Sequence, residues 1–416
     1  MHQLNEDKNF HFELLRILAS VRGFGADVSE VLNVCEKLIP GDFESWYIEF
    51  RKLAEWVETT IDENEYDKVS LRDAYWRASR YHFACGFFFQ AEQEDPRALA
   101  VYEKWVALFD KGCSMMDIPP ERSTLQAKGF QVPVILFRCA LDDQPRPTLI
   151  IGNGLDGSME EMLHMNGLQA LERGYNVILY EGPGQPSVRR SQQIGFIYNW
   201  EDVVTPIMDH LENLAFVDKT KIALLGNSLG GWLAARAAAF EHRLAAVLLI
   251  DGIYDLHSGI GSLIGPDVMQ FHEQGDEEKF NDGIRNLMEK SVNLKFLLNQ
   301  ASWAFMSSFY GFMDQAKKMT LKGIEDKFTC PVFIAGAEND IFDKVDQPGQ
   351  AAQALGDKAF LRRFTVQEGA EAHCHVGAVA FLNQVILSWL SKQLGNKDMF
   401  TTNGIVKDDV NGFSTL

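Results

Sequence analysis

The stretch LLGNSLGGW, residues 224–232, has the form G-x-S-x-G, in which Ser228 lies between Gly226 and Gly230. The apolar run KIALL comes directly before this stretch's glycine, and LGGWLAARAAAF, which has a helical pattern, follows the serine. A serine on a sharp turn between a strand and a helix is the context of a nucleophile elbow. Small residues two positions away on either side avoid clashes at such a turn. The stretch therefore predicts that Ser228 is a nucleophile.

The serine needs partners, because a hydroxyl is a poor nucleophile near neutral pH without a base and an orienting acid. Three acidic residues follow a later strand in the run CPVFIAGAENDIFD. Asp340 is the preferred candidate, since it follows the strand end closely and since Ile341 and Phe342 can pack beneath its loop. Asp343 and Glu338 are the alternatives.

Two histidines, His373 and His375, lie at the next junction between a strand and a helix. Serine, acid and histidine thus occur in this order, each after its own strand, which is the order of a hydrolase triad. Either histidine fits the position. An H-x-H pair can also bind a metal ion, but no recognisable spacing supplies a third ligand. We therefore expect a catalytic histidine here, with no metal and no cofactor.

The remaining requirement is a pair of N–H donors for an oxyanion. The backbone N–H of Leu229, directly after the serine, is the first expected donor. The second is expected from the loop in LIIGNGLDGS, residues 149–158, whose glycines allow close approach of the backbone to a ligand. Gly154 and Leu155 are the candidates. A phosphate-binding role for this loop lacks the P-loop Lys-Ser/Thr and the Rossmann spacing.

The pattern of the whole chain predicts an α/β fold. Residues 1–118 carry apolar side chains at helical spacing, which predicts a helical N-terminal domain that acts as a lid or substrate domain. In residues 119–395 strands alternate with helices, which predicts a mostly parallel sheet with helices on both faces. An interruption at about 252–328 predicts a helical cap insertion, and the polar, aperiodic residues 396–416 predict a C-terminal tail.

Composition limits the partners and the compartment. The chain has 416 residues and a formal net charge of −19, which disfavours nucleic acid and anionic membranes as partners. Its six cysteines are scattered, which is typical of reduced thiols, and no apolar run approaches the roughly 18 residues that span a bilayer. The charged N-terminus lacks the apolar core of a secretory signal. A cytoplasmic protein is expected, and the aromatic-rich helical domain permits a homodimer.

Five motifs together carry a family resemblance: GNGLDGS (152–158), YEGPGQ (180–185), GNSLGGW (226–232), GAENDIF (336–342) and EGAEAHC (368–374). With the helical N-terminal domain, they resemble one branch of the α/β-hydrolase superfamily. That branch contains fungal hydrolases that shorten or trim polyketides, the hydrolases of fusarin-type clusters, and the bacterial dihydropseudooxynicotine hydrolase. The resemblance extends over about nine-tenths of the chain.

The resemblance implies that the histidine before the cysteine in HC is catalytic, which favours His373. Members of the branch cleave esters or C–C bonds in β-dicarbonyl compounds, and their helical domain and insertion close over the triad. Two positions depart from the branch. Asn227 stands before the serine instead of Asp or His, and Glu181 stands where the branch often has Asp in DGPG.

Two classes of function follow from these residues. The first is a serine hydrolase that cleaves an ester, a thioester or a β-dicarbonyl C–C bond in a bulky, mostly apolar carbonyl compound such as a polyketide. The alternative is the same triad used without hydrolysis, for acyl transfer, dehydration or cyclisation. A ligand-binding scaffold with an inactive triad is a third, weaker hypothesis. The identity of the small-molecule substrate is beyond the sequence.

Overall fold

An eight-stranded sheet forms the centre of the protein. The structure is a computed structural model, and it describes residues 2–92 and 95–395. The strands are β1 (Glu121–Gln126), β2 (Gln131–Phe137), β3 (Arg146–Gly152), β4 (Asn176–Tyr180), β5 (Val217–Asn227), β6 (Ala246–Ile250), β7 (Val332–Ala337) and β8 (Ala359–Phe364).

The strand order is β1-β2-β4-β3-β5-β6-β7-β8. The first two strands are antiparallel to their neighbours, and every pair from β4 to β8 is parallel. Strands β4 and β6 are buried along their whole length, as expected for parallel strands covered on both faces. Because these strands are parallel, the carboxyl ends of β5, β6, β7 and β8 lie at one edge, where the candidate site residues follow them.

Seventeen α-helices lie within the described part of the chain. Before the sheet come α1 (Lys8–Ala19), α2 (Val28–Cys35), α3 (Phe43–Thr59), α4 (Lys68–Gly86) and α5 (Pro96–Ser114). Among the strands are α6 (Met159–Met162), α7 (Leu168–Leu171), α8 (Pro186–Gln192), α9 (Glu201–Leu211) and α10 (Leu229–Ala238). Between β6 and β7 lie α11 (Leu256–Ile264), α12 (Pro266–Glu273), α13 (Glu277–Lys290), α14 (Val292–Phe305) and α15 (Phe309–Ala316). The last two are α16 (Gln347–Leu355) and α17 (Val379–Gln393).

Both faces of the sheet are covered by apolar side chains. Helices α9 and α10 and the helices between β6 and β7 pack on one face. Helices α6 and α17 and parts of α1 and α5 pack on the other. The first five helices also have a core of their own, rich in aromatic residues such as Trp46, Phe50 and Tyr81. This is an α/β-hydrolase fold with a helical N-terminal region, so the fold class predicted from the sequence is confirmed.

Local differences from the prediction have simple causes. Strand β1, ERSTLQ, is polar and has no buried residue, so it lacks the apolar run that reveals a buried strand. Helix α8 is a seven-residue helix that begins with Pro186, directly after the Gly/Pro-rich stretch YEGPGQ, and no apolar pattern marks it. The predicted tail, residues 396–416, lies outside the described residues.

The structure provides one observation that bears on membranes. Among the described residues, no single helix combines the length and apolar character needed to cross a bilayer. Two adjoining segments, Val366–His375 and Val379–Gln393, meet those criteria only when taken together, and they are bent by 81°.

A buried ion-pair cluster joins the N-terminal helices to the sheet. Glu161 of α6 accepts hydrogen bonds from Arg16 of α1 at 2.6 and 2.8 Å and from Arg80 of α4 at 2.8 Å. Arg16 also donates to Asp156 at 3.1 Å. The side chains of Arg80 and Glu161 are at most 2% exposed. One carboxylate thus compensates two buried guanidinium groups that come from different helices.

Replacing Glu161 by Gln is expected to reduce the free energy of unfolding by about 3 kcal/mol, because Arg80 loses its carboxylate partner in a buried environment. Denaturant unfolding followed by circular dichroism measures the loss. The control is Glu172→Gln, which removes a half-exposed pair with Arg22 between the same two parts of the chain. That loss is expected to stay below about 1 kcal/mol. Equal losses in the two variants would contradict the assigned role of Glu161.

Candidate active site

Ser228 lies on a strained turn between β5 and α10. Its φ of 59° and ψ of −128° are rare for a residue with a side chain, and its N–H donates to the carbonyl of Ile250 at 3.0 Å. The turn brings backbones into close contact. A Cβ at Gly226 would lie 1.9 Å from the carbonyl oxygen of Gly230, and a Cβ at Gly230 would lie 2.5 Å from that of Asn153. Only glycine fits at these two positions, as the G-x-S-x-G pattern requires.

Three of the predicted site residues form one hydrogen-bonded chain. The Oγ of Ser228 is 2.8 Å from Nε2 of His373, and Nδ1 of the same ring is 2.7 Å from Oδ2 of Asp340. The other oxygen of Asp340 accepts the N–H of Phe342 at 2.8 Å. The Phe342 ring packs edge-on against the His373 ring at 4.8 Å, and Phe12 of α1 lies at 6.1 Å. The imidazole is therefore held between its two polar partners by aromatic rings.

The alternatives to these residues have other hydrogen-bond partners. Asp343 accepts the N–H groups of Val345 and Gln347, and Glu338 accepts the N–H of Val366. His375 is fully buried, and its Nδ1 lies 2.7 Å from the carbonyl oxygen of Ala370. None of the three is hydrogen-bonded to Ser228 or to His373 among the described residues.

A second carboxylate, which the sequence analysis missed, also reaches His373. Asp251 follows β6 directly, and its Oδ2 lies 3.0 Å from Nδ1 of His373. The same oxygen accepts the N–H of Cys374, whose φ is 52°. The signal was present in the sequence, because an aspartate after the strand next to the nucleophile's strand must lie at the same sheet edge. Two carboxylates therefore face one ring nitrogen.

Burial and the neighbouring charges shift the pKa of His373 in opposite directions, and the same is true of Asp340. Burial alone would lower the pKa of His373, but the negative charges around it, of which Asp340 contributes most and Asp251 also contributes, hold that pKa well above its usual value. Burial raises the pKa of Asp340, but the charge of His373 and the hydrogen bonds from His373 and from the N–H of Phe342 together outweigh it, so the pKa lies below its ordinary value. Burial raises the pKa of Asp251. The arrangement stabilises a protonated imidazole ring.

The predicted oxyanion residues lie against the elbow. A Cβ at Gly154 would be 2.9 Å from Cβ of Ser228 and 3.0 Å from the backbone nitrogen of Leu229. Leu155 borders the same cavity as Ser228 and Leu229. As the first residue of α10, Leu229 also has an N–H without a carbonyl partner inside its helix. The structure thus places Leu229 and Gly154 against the serine and Leu155 on the cavity that the serine borders.

Side chains of the EGPGQ motif hold the loop that contains Gly154. Gln185, which is fully buried, donates from Nε2 to the carbonyl oxygens of Asn153 at 2.8 Å and Gly154 at 3.2 Å. Its Oε1 accepts the N–H of Gly182 at 2.8 Å. This bracing contact gives the motif a structural role that sequence reasoning left open.

Glu181 braces the far end of the same loop. It accepts the N–H groups of Met159 at 2.8 Å and Ser187 at 2.7 Å, and the side-chain amide of Asn153 at 3.3 Å. Burial, with a smaller contribution from the charge of Glu160, raises the pKa of Glu181 to about 7. The glutamate that departs from the family pattern therefore binds both the start of α6 and the loop before it.

Contacts from outside the sheet domain reach this loop as well. Gln300 of α14 donates to the carbonyl oxygen of Leu155 at 3.3 Å. Arg16 of α1 donates to the side chain of Asp156, and Gln90 donates to the carbonyl oxygen of Asp156 at 3.2 Å. The helices between β6 and β7 and the N-terminal helices therefore both contact the loop that faces Ser228.

Asn227, the second departure from the family pattern, belongs to a buried chain of amides. Its Nδ2 donates to Asn166 at 3.0 Å, and Asn166 donates in turn to Asn383 of α17 at 2.9 Å. Asn166 lies in a π-helical turn, Leu163–Gly167, between α6 and α7. The uncharged side chain of Asn227 is compatible with the triad, because this chain of amides does not include Ser228, His373 or Asp340.

The serine opens into a cavity that is mostly apolar. The cavity and its mouth together enclose about 1190 Å³ not occupied by protein atoms. Its aromatic lining comes from Phe12, Phe305, Phe312 and Phe342. Of the aromatic residues between Tyr75 and Phe89, Phe88 and Phe89 border a separate cavity, Trp76 packs in the apolar cluster on one face of the sheet, and the others are packed in the helical core. Helix α1 and the helices between β6 and β7 therefore form the walls.

One group of side chains near the site has metal-ligand chemistry. Asp251, His373 and Cys374 each offer a ligand atom within 4.8 Å of the other two. Both ring nitrogens of His373 are already within hydrogen-bond distance of other side chains. The arrangement therefore fits proton transfer better than metal coordination.

Comparisons with known proteins identify the family. Residues 153–370 match the model of the alpha/beta hydrolase family, and that match includes Ser228 and Asp340. The chain belongs to the alpha/beta hydrolase family.

Family members of similar length include fungal hydrolases. The hydrolase acrC of Aspergillus aculeatus is 31% identical over 92% of this chain and 96% of its own. The 20-hydroxy-prefusarin hydrolase FUS2 of Gibberella moniliformis is 28% identical over 95% of this chain and 99% of its own. The crystal structure of 2,6-dihydroxy-pseudo-oxynicotine hydrolase has the same fold, with a TM-score of 0.69, 18% identity, and coverage of 91% of this chain and 95% of that one.

Replacing Asp251 by Asn is expected to lower the pKa of His373 by about one unit, because a carboxylate beside Nδ1 stabilises the imidazolium. NMR titration of the His373 ring, assigned by comparison with His373→Gln, measures the shift. The control is Glu338→Gln, which removes an exposed carboxylate from the Asp340 loop and is expected to leave that pKa in place. An unchanged pKa in Asp251→Asn would show that Asp251 does not act on the ring.

Proposed function

We propose that this alpha/beta hydrolase is a serine hydrolase that cleaves an ester, a thioester or a β-dicarbonyl C–C bond in a bulky secondary-metabolite substrate. The observation that carries the proposal is the hydrogen-bonded chain Ser228–His373–Asp340 at a mostly apolar cavity. A triad supplies a nucleophile and a base, and an apolar cavity suits a substrate with few charges.

In the proposed mechanism, His373 must be neutral to accept the proton of Ser228 as its oxygen attacks the substrate carbonyl. Asp340 orients the ring and stabilises the imidazolium that forms. The backbone N–H of Leu229, with that of Gly154 or Leu155, binds the oxyanion. The imidazolium then protonates the leaving group, and an acyl group remains on Ser228. Water, deprotonated by His373, releases the acyl group as a carboxylic acid.

The two kinds of substrate differ in the leaving group. From an ester or thioester, the departing oxygen or sulfur takes the proton of His373. From a β-dicarbonyl compound, the C–C bond breaks and the departing group is an enolate, which receives the proton on carbon. Both routes pass through the same acyl-enzyme and consume one water molecule. The relatives' names support hydrolysis of secondary metabolites, since FUS2 is named for 20-hydroxy-prefusarin.

We also propose a reducing, cytoplasmic location. All six cysteines are free, and Cys85, Cys113 and Cys330 are buried. Burial raises the pKa of the Cys85 thiol to about 12. Unpaired, unreactive thiols are typical of proteins in a compartment that keeps cysteines reduced.

Replacing Ser228 by Ala is expected to abolish turnover and labelling by a fluorophosphonate while leaving the circular dichroism spectrum unchanged. The wild-type adduct is expected on Ser228, as identified by peptide mass spectrometry. Product analysis with matched synthetic esters and β-diketones then separates the two bond types. Turnover by Ser228→Ala at near the wild-type rate would show that the serine is not the nucleophile.

Replacing Gln185 by Ala is expected to lower kcat by about 10- to 100-fold with little change in KM. The loop of Gly154 loses the hydrogen bonds that Nε2 of Gln185 donates to Asn153 and Gly154. A misplaced oxyanion donor affects the transition state more than the bound substrate. Steady-state kinetics on the best synthetic substrate measures kcat and KM separately. The control is Gln192→Ala in α8, whose side chain bonds only the backbone of Gln131. A parallel rise in KM would indicate a role in substrate binding instead.

A further inference from the structure

The carboxamide of Gln347 has a fixed orientation. Gln347 is the first residue of α16, is 4% exposed and borders the cavity that contains Ser228. Its Oε1 accepts the backbone N–H groups of Tyr254 at 2.9 Å and Asp255 at 2.7 Å. Only the oxygen of a carboxamide can accept two N–H donors, so the NH₂ group must point away from them.

The NH₂ group of Gln347 has no acceptor. Among the described residues, Nε2 is buried and forms no hydrogen bond. Gly259 of α11 lies beside it, where a Cβ would contact Nε2 at 3.5 Å, so no side chain from this position covers the amide. Gly259 borders the same cavity. A buried donor without an acceptor is unfavourable, and a ligand oxygen in the cavity would relieve this cost.

The side chains around the Gln347 amide indicate that the ligand oxygen is uncharged. Asp343 accepts the N–H of Gln347 at 3.0 Å and borders the cavity, as does Asp340. Leu256 and Ile260 of α11 supply apolar surface next to Gly259. Carboxylates nearby disfavour an anionic ligand group, whereas apolar neighbours accept the carbon atoms that flank a neutral oxygen.

We propose that Gln347 is a specificity residue whose Nε2 donates a hydrogen bond to a second, neutral oxygen of the substrate, a ketone or a hydroxyl. The inference rests on the proposed function, and it narrows the substrate to an acyl compound that is oxygenated away from the scissile carbonyl. The scissile carbonyl oxygen itself belongs to the donors beside Ser228. Substrates without the second oxygen leave the amide unpaired.

The first test uses the wild-type enzyme and a series of p-nitrophenyl esters. Each member carries one ketone at a successive position of the acyl chain and is compared with the unsubstituted alkyl ester of equal length. One position is expected to show a KM about tenfold lower than its alkyl counterpart. Ketones that bind no better at any position would show that water pairs with the amide, and would overturn the proposal.

The second test uses Gln347→Glu. This variant keeps an oxygen for the N–H groups of Tyr254 and Asp255 but replaces the NH₂ donor by an acceptor. The tenfold KM ratio between the paired esters is expected to fall to one or below. Gln350→Glu, on the same helix, is the matched control, because its Nε2 bonds only the carbonyl oxygen of Val345. That control is expected to keep the ratio, and a preserved ratio in Gln347→Glu would overturn the proposal.

The design separates this inference from the proposed function. Hydrolysis of the unsubstituted esters by the wild type tests the triad. If no ester is hydrolysed, the proposed function fails, and Gln347 is tested by calorimetric binding of the same ester pairs to Ser228→Ala. Preference for the ketone in Ser228→Ala, lost when Gln347→Glu is added, supports the subsite. Equal affinities for each pair in Ser228→Ala would overturn it. A variant that does not fold leaves the wild-type series to decide.

Discussion

The close contact between two backbones at the sheet edge is the constraint on which the site depends. The elbow at Ser228 and the loop that begins at Asn153 approach so closely that a Cβ at Gly230 would collide with the loop. Such contact places Gly154 beside Cβ of Ser228 and the backbone nitrogen of Leu229, but it supplies little attraction of its own. The loop is therefore held from four directions, by Glu181, Gln185, Gln300 and Arg16. The helices around the sheet thus support the loop as well as enclosing the cavity.

Electrostatics around His373 follows from the same edge. Parallel strands deliver a side chain at each carboxyl end, so β6 and β7 both bring an aspartate to the ring. Two carboxylates beside one buried imidazole favour the protonated, positively charged form of the ring. The ring therefore binds a proton readily and releases it less easily. The balance between Asp340 and Asp251 sets how strongly the resting site is protonated.

Features that depend on residues close together in the sequence could be predicted. Features that depend on contacts between residues far apart in the sequence could not. Ser228, Asp340 and His373 could be named as candidates because each follows a recognisable strand in a known order, and Leu229 because it follows the serine. Gln185 and Gln347 were missed because a glutamine has no pattern of its own, and its role exists only when the chain brings a carbonyl or an N–H to it. Asp251 could have been predicted from its position after β6, but only one acid was expected, and Asp340 already filled that role. Strand β1 could not be predicted because none of its residues is buried and its sequence has no apolar run.

The contacts of helix α1 have a consequence for the order in which the protein matures. Phe12 lies against His373, and Arg16 binds Glu161, so the first helix reaches residues 361 and 145 positions further along the chain. Contacts that close such long loops form late in folding, because their entropic cost is met only after local structure exists. During synthesis, α1 leaves the ribosome long before its partners do. The cavity wall and the packing of the imidazole are therefore completed only after the last strand has been made, and a nascent chain is inactive until then.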